Sequence, residues 1–206
     1  MGKIKFTSDQ ISKMKAASTI GHNGWALNAL KPVKAKIKKR RREDLQDICC
    51  YCQRDTTGEY NMVLDIEHIV PKSVRPRHMF TMKNLTVSCK RCNMQIKRAR
   101  TDFLAMPITS LPKRIFKSKY YKFVHPNLDE IENHILRNVV QRGRIRFIKY
   151  SFPNNSTKGK FTYKYFELRE LEIDSANTAQ GRKNKNAIAN IVAAQAFDIL
   201  MENTKR

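Results

Sequence analysis

Apolar residues first recur at helical spacing near the start of the chain, where Ile11, Met14 and Ala17 share one face and Thr7 or Ser8 can act as the cap. This pattern predicts helix within residues 1–30, broken at Gly21-His22-Asn23-Gly24. Trp25 and Leu30 follow the break; core packing is the preferred reading for Trp25, with stacking on a base as the alternative. Pro32 predicts a stop to the first helix, and residues 31–42 predict a second helical run into Glu43, Asp44 and Leu45. Residues 64–70 form a short apolar, strand-like run ended by Pro71. Residues 101–142 are mixed and punctuated by Pro107, Pro112 and Pro126, with a short helix predicted over 129–137 from Ile131 and Ile135. Alternation at 144–150 and again at 161–166 predicts a β-hairpin whose long loop holds Pro153, Asn154, Asn155, Ser156 and Gly159. Ile188, Ile191, Val192 and Ile199 make the apolar stripe of a helix over 186–201. The expected fold class is α+β, in three parts: a helical, basic region 1–47, a central core 48–105, and an accessory α/β region 106–206 suited to partner docking.

Charge narrows the partners. The 206 residues carry 41 Lys plus Arg against 18 Asp plus Glu, a net charge of +23. Such an excess repels itself, so a polyanion is expected to balance it; nucleic acid is the first candidate and an anionic membrane surface the alternative. Lys31, Lys34, Lys36, Lys38, Lys39, Arg40, Arg41 and Arg42 form the densest run, read as a phosphate-contacting helix in preference to a merely solvated face. The most apolar stretch, 188–201, is interrupted by Asn190, Gln195 and Asp198, too short and too polar to span a bilayer. The start of the chain has no apolar segment of a signal peptide, and Phe6 stands where myristoylation favours a hydroxyl. A cytoplasmic protein is expected.

The five cysteines are Cys49, Cys50, Cys52, Cys89 and Cys92. Cys49-x-x-Cys52 and Cys89-x-x-Cys92 are two half-sites of a closed tetrahedral zinc site, in which zinc binding and folding are coupled. Cys50 is a ligand candidate on residue type alone, but the C-x-x-C spacing selects Cys49. The pairs are separated by 36 residues, where zinc ribbons leave about 15–20, so the loop is long enough to hold a unit of its own.

That loop contains Leu64-Asp65-Ile66-Glu67-His68-Ile69-Val70-Pro71-Lys72-Ser73, and Asn93 follows the last cysteine directly. Phosphodiester hydrolysis needs a base for the water and a cation for the charge that develops on phosphate. Histidine suits the first task, and a carboxylate with an amide oxygen suits Mg²⁺ or Mn²⁺, hard ions that keep several waters. Glu67, His68 and Asn93 supply that set, and Asp65, two residues earlier on the strand, is placed to assist.

With the Asn84-Leu85 pair and Cys92-Asn93, residues 48–97 resemble the HNH, or ββα-metal, endonucleases. The resemblance covers about a quarter of the chain. It implies a zinc-stapled ββα core, His68 as general base, Glu67 with Asn93 as ligands of a catalytic divalent ion, and Asn84 as the residue that ties the loop and orients His68. Two positions depart from the commoner family pattern: Asn93 stands where His is frequent, and Glu67 where Asp is commoner. Lys72, Lys90, Arg91, Lys97, Arg98 and Arg100 are expected to grip the nucleic-acid backbone, with DNA as the expected substrate and low sequence specificity. His78 is expected in a loop near phosphate. A second segment, Phe123-Val124-His125-Pro126-Asn127-Leu128-Asp129 followed by His134, resembles the His-Pro-x-x-Asp stretch of stand-alone HNH proteins. These include the HNH subunits of Septu-type and retron-linked anti-phage systems, which work beside an ATPase; a turn with a capping Asp is the alternative reading. Two other functions compete: a non-catalytic zinc-containing nucleic-acid-binding module, and a degenerate HNH fold used for docking.

Overall fold

The computed structural model describes residues 4–143 and 145–179, together with Gln195 and Ile199. The chain divides into two compact units, Met1–Asp129 and Glu130–Arg206. That division falls after Asp129, so the basic N-terminal helices, the cysteine-rich core and residues 106–129 share one unit.

The first unit opens with α1 (Ser8–Thr19), capped by a reciprocal pair: Thr7 accepts from the Gln10 amide, and Gln10 accepts from the Thr7 amide. Two 3₁₀ turns, Gly21–Ala26 and Asn28–Leu30, lead into α2 (Lys31–Asp44). Pro32 lies in the first turn of α2, so it starts the second helix where the sequence had suggested an end to the first. Gly24 is required by contact: a Cβ there would stand 1.9 Å from the Ala17 carbonyl oxygen. Val33 and Ile37 of α2 join Ala17, Leu30, Met79 and Leu85 in one buried cluster. Burying each such aliphatic side chain contributes about 1.5–3 kcal/mol, which holds the helical pair against the strands that follow.

Those strands are β1 (Leu64–His68) and β2 (Leu85–Cys89), antiparallel in the register Leu64↔Cys89 to His68↔Leu85. The chain then winds directly into a π-helical turn, Arg91–Lys97. The expected helix after the second strand is therefore a wider turn, a form concentrated at functional sites. Phe103, Tyr121 and Phe123 stack beside this region, Phe103 and Phe123 at 4.4 Å between ring centres. No helix among the described residues is long and apolar enough to cross a membrane.

The second unit corrects two expectations. Residues 129–137 contain only a 3₁₀ turn, Ile131–Asn133, before β3 (Leu136–Arg142) begins. β3 pairs with β4 (Ile145–Ser151) across a tight connection through Gly143, whose φ of +57° favours glycine. Residues 161–166 are therefore not the second strand of the hairpin. They belong to α3 (Thr157–Tyr165) and its end, capped by Ser156, which accepts from the Gly159 amide. The aromatic pattern that imitates alternation also serves i,i+4 packing, and the Phe161 and Tyr165 rings stack at 5.7 Å. Gly159 approaches so closely that a Cβ would lie 1.9 Å from the His134 carbonyl oxygen. α4 (Leu168–Ala179) follows, and the helix expected at 186–201 lies outside the described residues.

Candidate metal and pocket site

Cys49, Cys52, Cys89 and Cys92 are all buried, and their four sulfurs lie within 4.8 Å of one another. The Cys52 and Cys89 sulfurs are 3.8 Å apart. A tetrahedron with metal–sulfur bonds of about 2.3 Å has edges of about 3.8 Å, so the spacing fits one zinc-sized ion. The Cys89 amide donates to the Cys49 sulfur at 3.3 Å. Cys50 is buried but stands outside the cluster and interacts with Thr86. Cys49 and Cys52 come from one loop, Cys89 from the end of β2 and Cys92 from the π-helical turn, so an ion held among them joins β2 and that turn to the segment before β1.

β1 ends on Glu67 and His68, which with Asn93 line one pocket of about 360 Å³. Trp25, Ile66, Lys72, Met94 and Arg98 complete most of its wall. The π-helical turn places Asn93 there, immediately after the thiol of Cys92. His68 is held on two sides. Its Nε2 lies 3.1 Å from the Met79 carbonyl, which only accepts, so Nε2 carries the proton and Nδ1 keeps a lone pair. Its ring meets Trp25 edge-on at 4.5 Å between centres. Burial, with Lys72 and Lys97 nearby, lowers the His68 pKa to about 3, against the opposing effect of the Met79 bond.

Asn84 is fully buried and clasps the turn that leaves β1. It accepts from the Val70 amide at 2.7 Å and donates to the Val70 and His78 carbonyls at 2.9 and 3.2 Å. The turn between Val70 and Met79 carries both Lys72 and the carbonyl that holds His68, so Asn84 fixes the His68 side of the pocket from behind.

Glu67 is 2% exposed, and its Oε1 receives two donors: Lys97 Nζ at 2.6 Å and the Tyr51 hydroxyl at 3.2 Å. Burial pushes the Glu67 carboxyl up, opposed by the Lys97 ammonium. Lys97 is 1% exposed and also donates to the His68 carbonyl at 3.0 Å. Its position corrects the expectation of a phosphate contact: the ammonium points into the protein. Arg41 is corrected likewise, since it is 6% exposed and bonds Asp44 and the Met82 carbonyl. Asp65 does not line the pocket; its charge acts on Lys38 of α2.

The remaining basic residues differ in exposure. Lys39, Lys90 and Arg98 are exposed, and Lys38, Arg40, Arg42, Lys72 and Arg91 are half-buried. Arg40 pairs with Asp44 at 2.8 Å, and Arg42 with Asp47 and Asn61, which ties part of the basic helix to its own unit. Arg98 sits at φ 50°, ψ −132°, a backbone region that favours glycine, and its Nε donates to the Met94 and Gln95 carbonyls. This strain lies at the pocket wall.

His125 and Asp129 turn out to form a self-capped turn: Asp129 accepts from the His125 amide at 2.7 Å, and the Asn127 amide lies 3.2 Å from His125 Nδ1. Asn127 donates to the Lys83 and Leu85 carbonyls at 3.1 and 2.9 Å, bracing the entry to β2. His78 lies against Phe116 and Thr81. Sequence reasoning did not place Trp25 or Tyr51 beside Glu67 and His68, and it put Lys97 on the nucleic-acid backbone where the structure puts it against Glu67.

No protein-family model matches the chain, and no solved structure matches it. Over 125 residues the chain is 26% identical to the Septu protein PtuB of Bacillus thuringiensis. The match spans 61% of the chain and 37% of that relative, so the chain corresponds to little more than a third of the relative's length.

Proposed function

We propose that the chain is a metal-dependent nuclease of the HNH type that hydrolyses nucleic-acid phosphodiesters. The observation that carries this reading is the convergence of Glu67, His68 and Asn93 on one pocket with Lys72 and Arg98. A carboxylate and an amide oxygen suit a hard divalent ion with open positions, so Glu67 and Asn93 are the residues that would hold Mg²⁺ or Mn²⁺. Such an ion supplies charge stabilisation at the phosphate and the leaving 3′ oxygen.

The chain's own residues supply the rest. His68 Nδ1, left free for a proton by the Nε2–Met79 bond, takes one from the attacking water. Asn84 holds the turn that fixes His68 and Lys72 relative to each other. Lys72 and Arg98 neutralise the phosphate and keep the strand in place without reading its bases. The four-thiol site holds Asn93 against β1.

The similarity to a Septu protein agrees with the resemblance of residues 123–129 to HNH subunits of Septu-type anti-phage systems. The chain is accordingly proposed as an anti-phage effector working beside a co-encoded ATPase, with DNA as the first substrate to test. The competing reading is a zinc-containing module that binds nucleic acid without cutting it. Cleavage of plasmid DNA and of a structured RNA by wild type and His68→Ala, in Mg²⁺, Mn²⁺ and EDTA, separates the two. Divalent-dependent cutting lost in His68→Ala is the expected result. Binding by both proteins with cutting by neither would overturn the nuclease.

A further inference from the structure

Lys97 is a buried cation that the proposed reaction does not use. Its ammonium reaches Glu67 Oε1 at 2.6 Å, the His68 carbonyl at 3.0 Å and the Arg98 carbonyl at 3.4 Å, and it lies 5.6 Å from the centre of the Phe103 ring. It therefore links the two consecutive residues at the end of β1 to the π-helical turn that carries Asn93. Tyr51 bonds the same carboxylate oxygen, Oε1, and Glu67 lines the pocket. The carboxylate is thus fixed in direction, and its charge is already matched.

The pocket's charge makes this consequential. Among its lining residues Glu67 is the one acid, while Lys72 and Arg98 are bases. Adding the Lys97 ammonium behind Glu67 leaves an excess of positive charge before substrate arrives. Divalent-ion affinity follows the negative charge of the ligand set, so such a pocket repels a free dication and attracts phosphate. A bound phosphate reverses the balance and supplies further oxygen ligands.

Resting on the nuclease reading above, we infer that Lys97 is a positioning residue that commits one oxygen of Glu67 and cancels its charge, so that the divalent ion binds only together with the substrate phosphate. Metal and nucleic acid are then positively coupled, and by linkage each raises the other's affinity by the same factor. In the cell, a nuclease built this way holds no armed metal site until a strand is seated.

The test measures Mn²⁺ binding by paramagnetic resonance on the zinc-loaded full chain, alone and with a phosphorothioate DNA duplex that resists cleavage. Duplex affinity is measured in parallel with and without Mn²⁺. Wild type is expected to bind Mn²⁺ roughly tenfold or more tightly with the duplex, and the duplex tighter by the same factor with Mn²⁺. Lys97→Met keeps the buried stem and removes the charge; it is expected to bind Mn²⁺ alone about tenfold more tightly than wild type, with the coupling reduced. Damage to the fold would not produce a gain in affinity, and zinc content with a thermal melt checks that the variant is folded. Equal Mn²⁺ affinity in wild type and folded Lys97→Met overturns the inference and leaves the nuclease reading standing. So does wild-type Mn²⁺ binding that is indifferent to the duplex, a result independent of any variant. Wild type that binds no Mn²⁺ even with the duplex overturns the metal-dependent nuclease itself, and the inference with it.

Discussion

Asn84 and Val70 are joined by a pair of hydrogen bonds, the Asn84 side chain accepting from the Val70 amide and donating to the Val70 carbonyl. The side-chain amide thereby completes the backbone pairing where β1 ends and the turn toward Pro71 begins. Because the same nitrogen also reaches the His78 carbonyl, one side chain closes both ends of the segment that supports His68.

Replacing Asn84 by Ala leaves the Val70 amide and two carbonyls without these partners in a fully buried place. The expected cost is about 2–4 kcal/mol, since each buried group left unpaired costs about 1–3 kcal/mol and water recovers part of it. Urea unfolding of zinc-loaded wild type and variant reads this directly. A loss under about 1 kcal/mol would mean that Asn84 does not carry the turn. Cleavage is expected to fall further than stability under conditions where the variant remains folded, because His68 loses the support that aligns it.

The cysteine assignment makes a sharper contrast. Cys49→Ser removes one of four clustered thiols, whereas Cys50→Ser removes a buried thiol outside the cluster. Zinc per chain, measured by atomic absorption after dialysis, is expected to stay near one in Cys50→Ser and to collapse in Cys49→Ser. A strong chelator is expected to strip wild type and to melt the Met1–Asp129 unit, seen as lost near-ultraviolet dichroism. Zinc retained at the wild-type level in Cys49→Ser would refute the four-thiol site.

His68 has a pKa lowered to about 3 by burial, so it is neutral across the physiological range. Ring signals of His68 followed by nuclear magnetic resonance should show no titration between about pH 5 and 8. The linkage has a definite sign. The unfolded chain takes a proton on His68 near pH 6.5 and the folded chain does not, so stability is full above pH 6.5 and declines as pH falls toward 3. His68→Asn is expected to shallow that decline. A His68 inflection near 6.5 in the folded protein would show that the ring is solvated, contrary to its packing against Trp25 and Met79.

The parts of this site that could be read from sequence were those whose chemistry is written in spacing. Two C-x-x-C pairs brought four sulfurs together, and Glu67, His68 and Asn93 meet at one pocket. Tyr51 and Lys97 were hidden because their roles depend on direction: Tyr51 lies between two cysteines, and Lys97 sits in a basic run that invites a phosphate contact. Only the π-helical turn reveals that its ammonium faces Glu67. Residues 161–166 were misread as strand because aromatic residues at alternate positions also satisfy i,i+4 stacking, and the Ser156 cap decides for helix. The true partner of β4 is β3, whose Val139 and Gln141 are too exposed to leave a clear alternating signal.

Burial also divides the basic residues into two groups with different consequences for binding. Lys39, Lys90 and Arg98 are exposed, while Arg41 is buried against Asp44 and the Met82 carbonyl. If nucleic acid is the partner, each phosphate contact releases counterions, and log affinity falls with log salt by about 0.9 per contact on duplex DNA. Lys90→Ala and Arg98→Ala are each expected to lower that slope by about one and to leave unfolding almost unchanged. Arg41→Met is expected to do the reverse, keeping the slope and reducing stability, because it removes a buried partner of Asp44. Fluorescence anisotropy across a salt series, with urea unfolding of the same variants, compares the two. A lowered slope in Arg41→Met, with Arg98→Ala unchanged, would place the nucleic-acid surface away from the pocket and break the link between binding and the Glu67–His68 site.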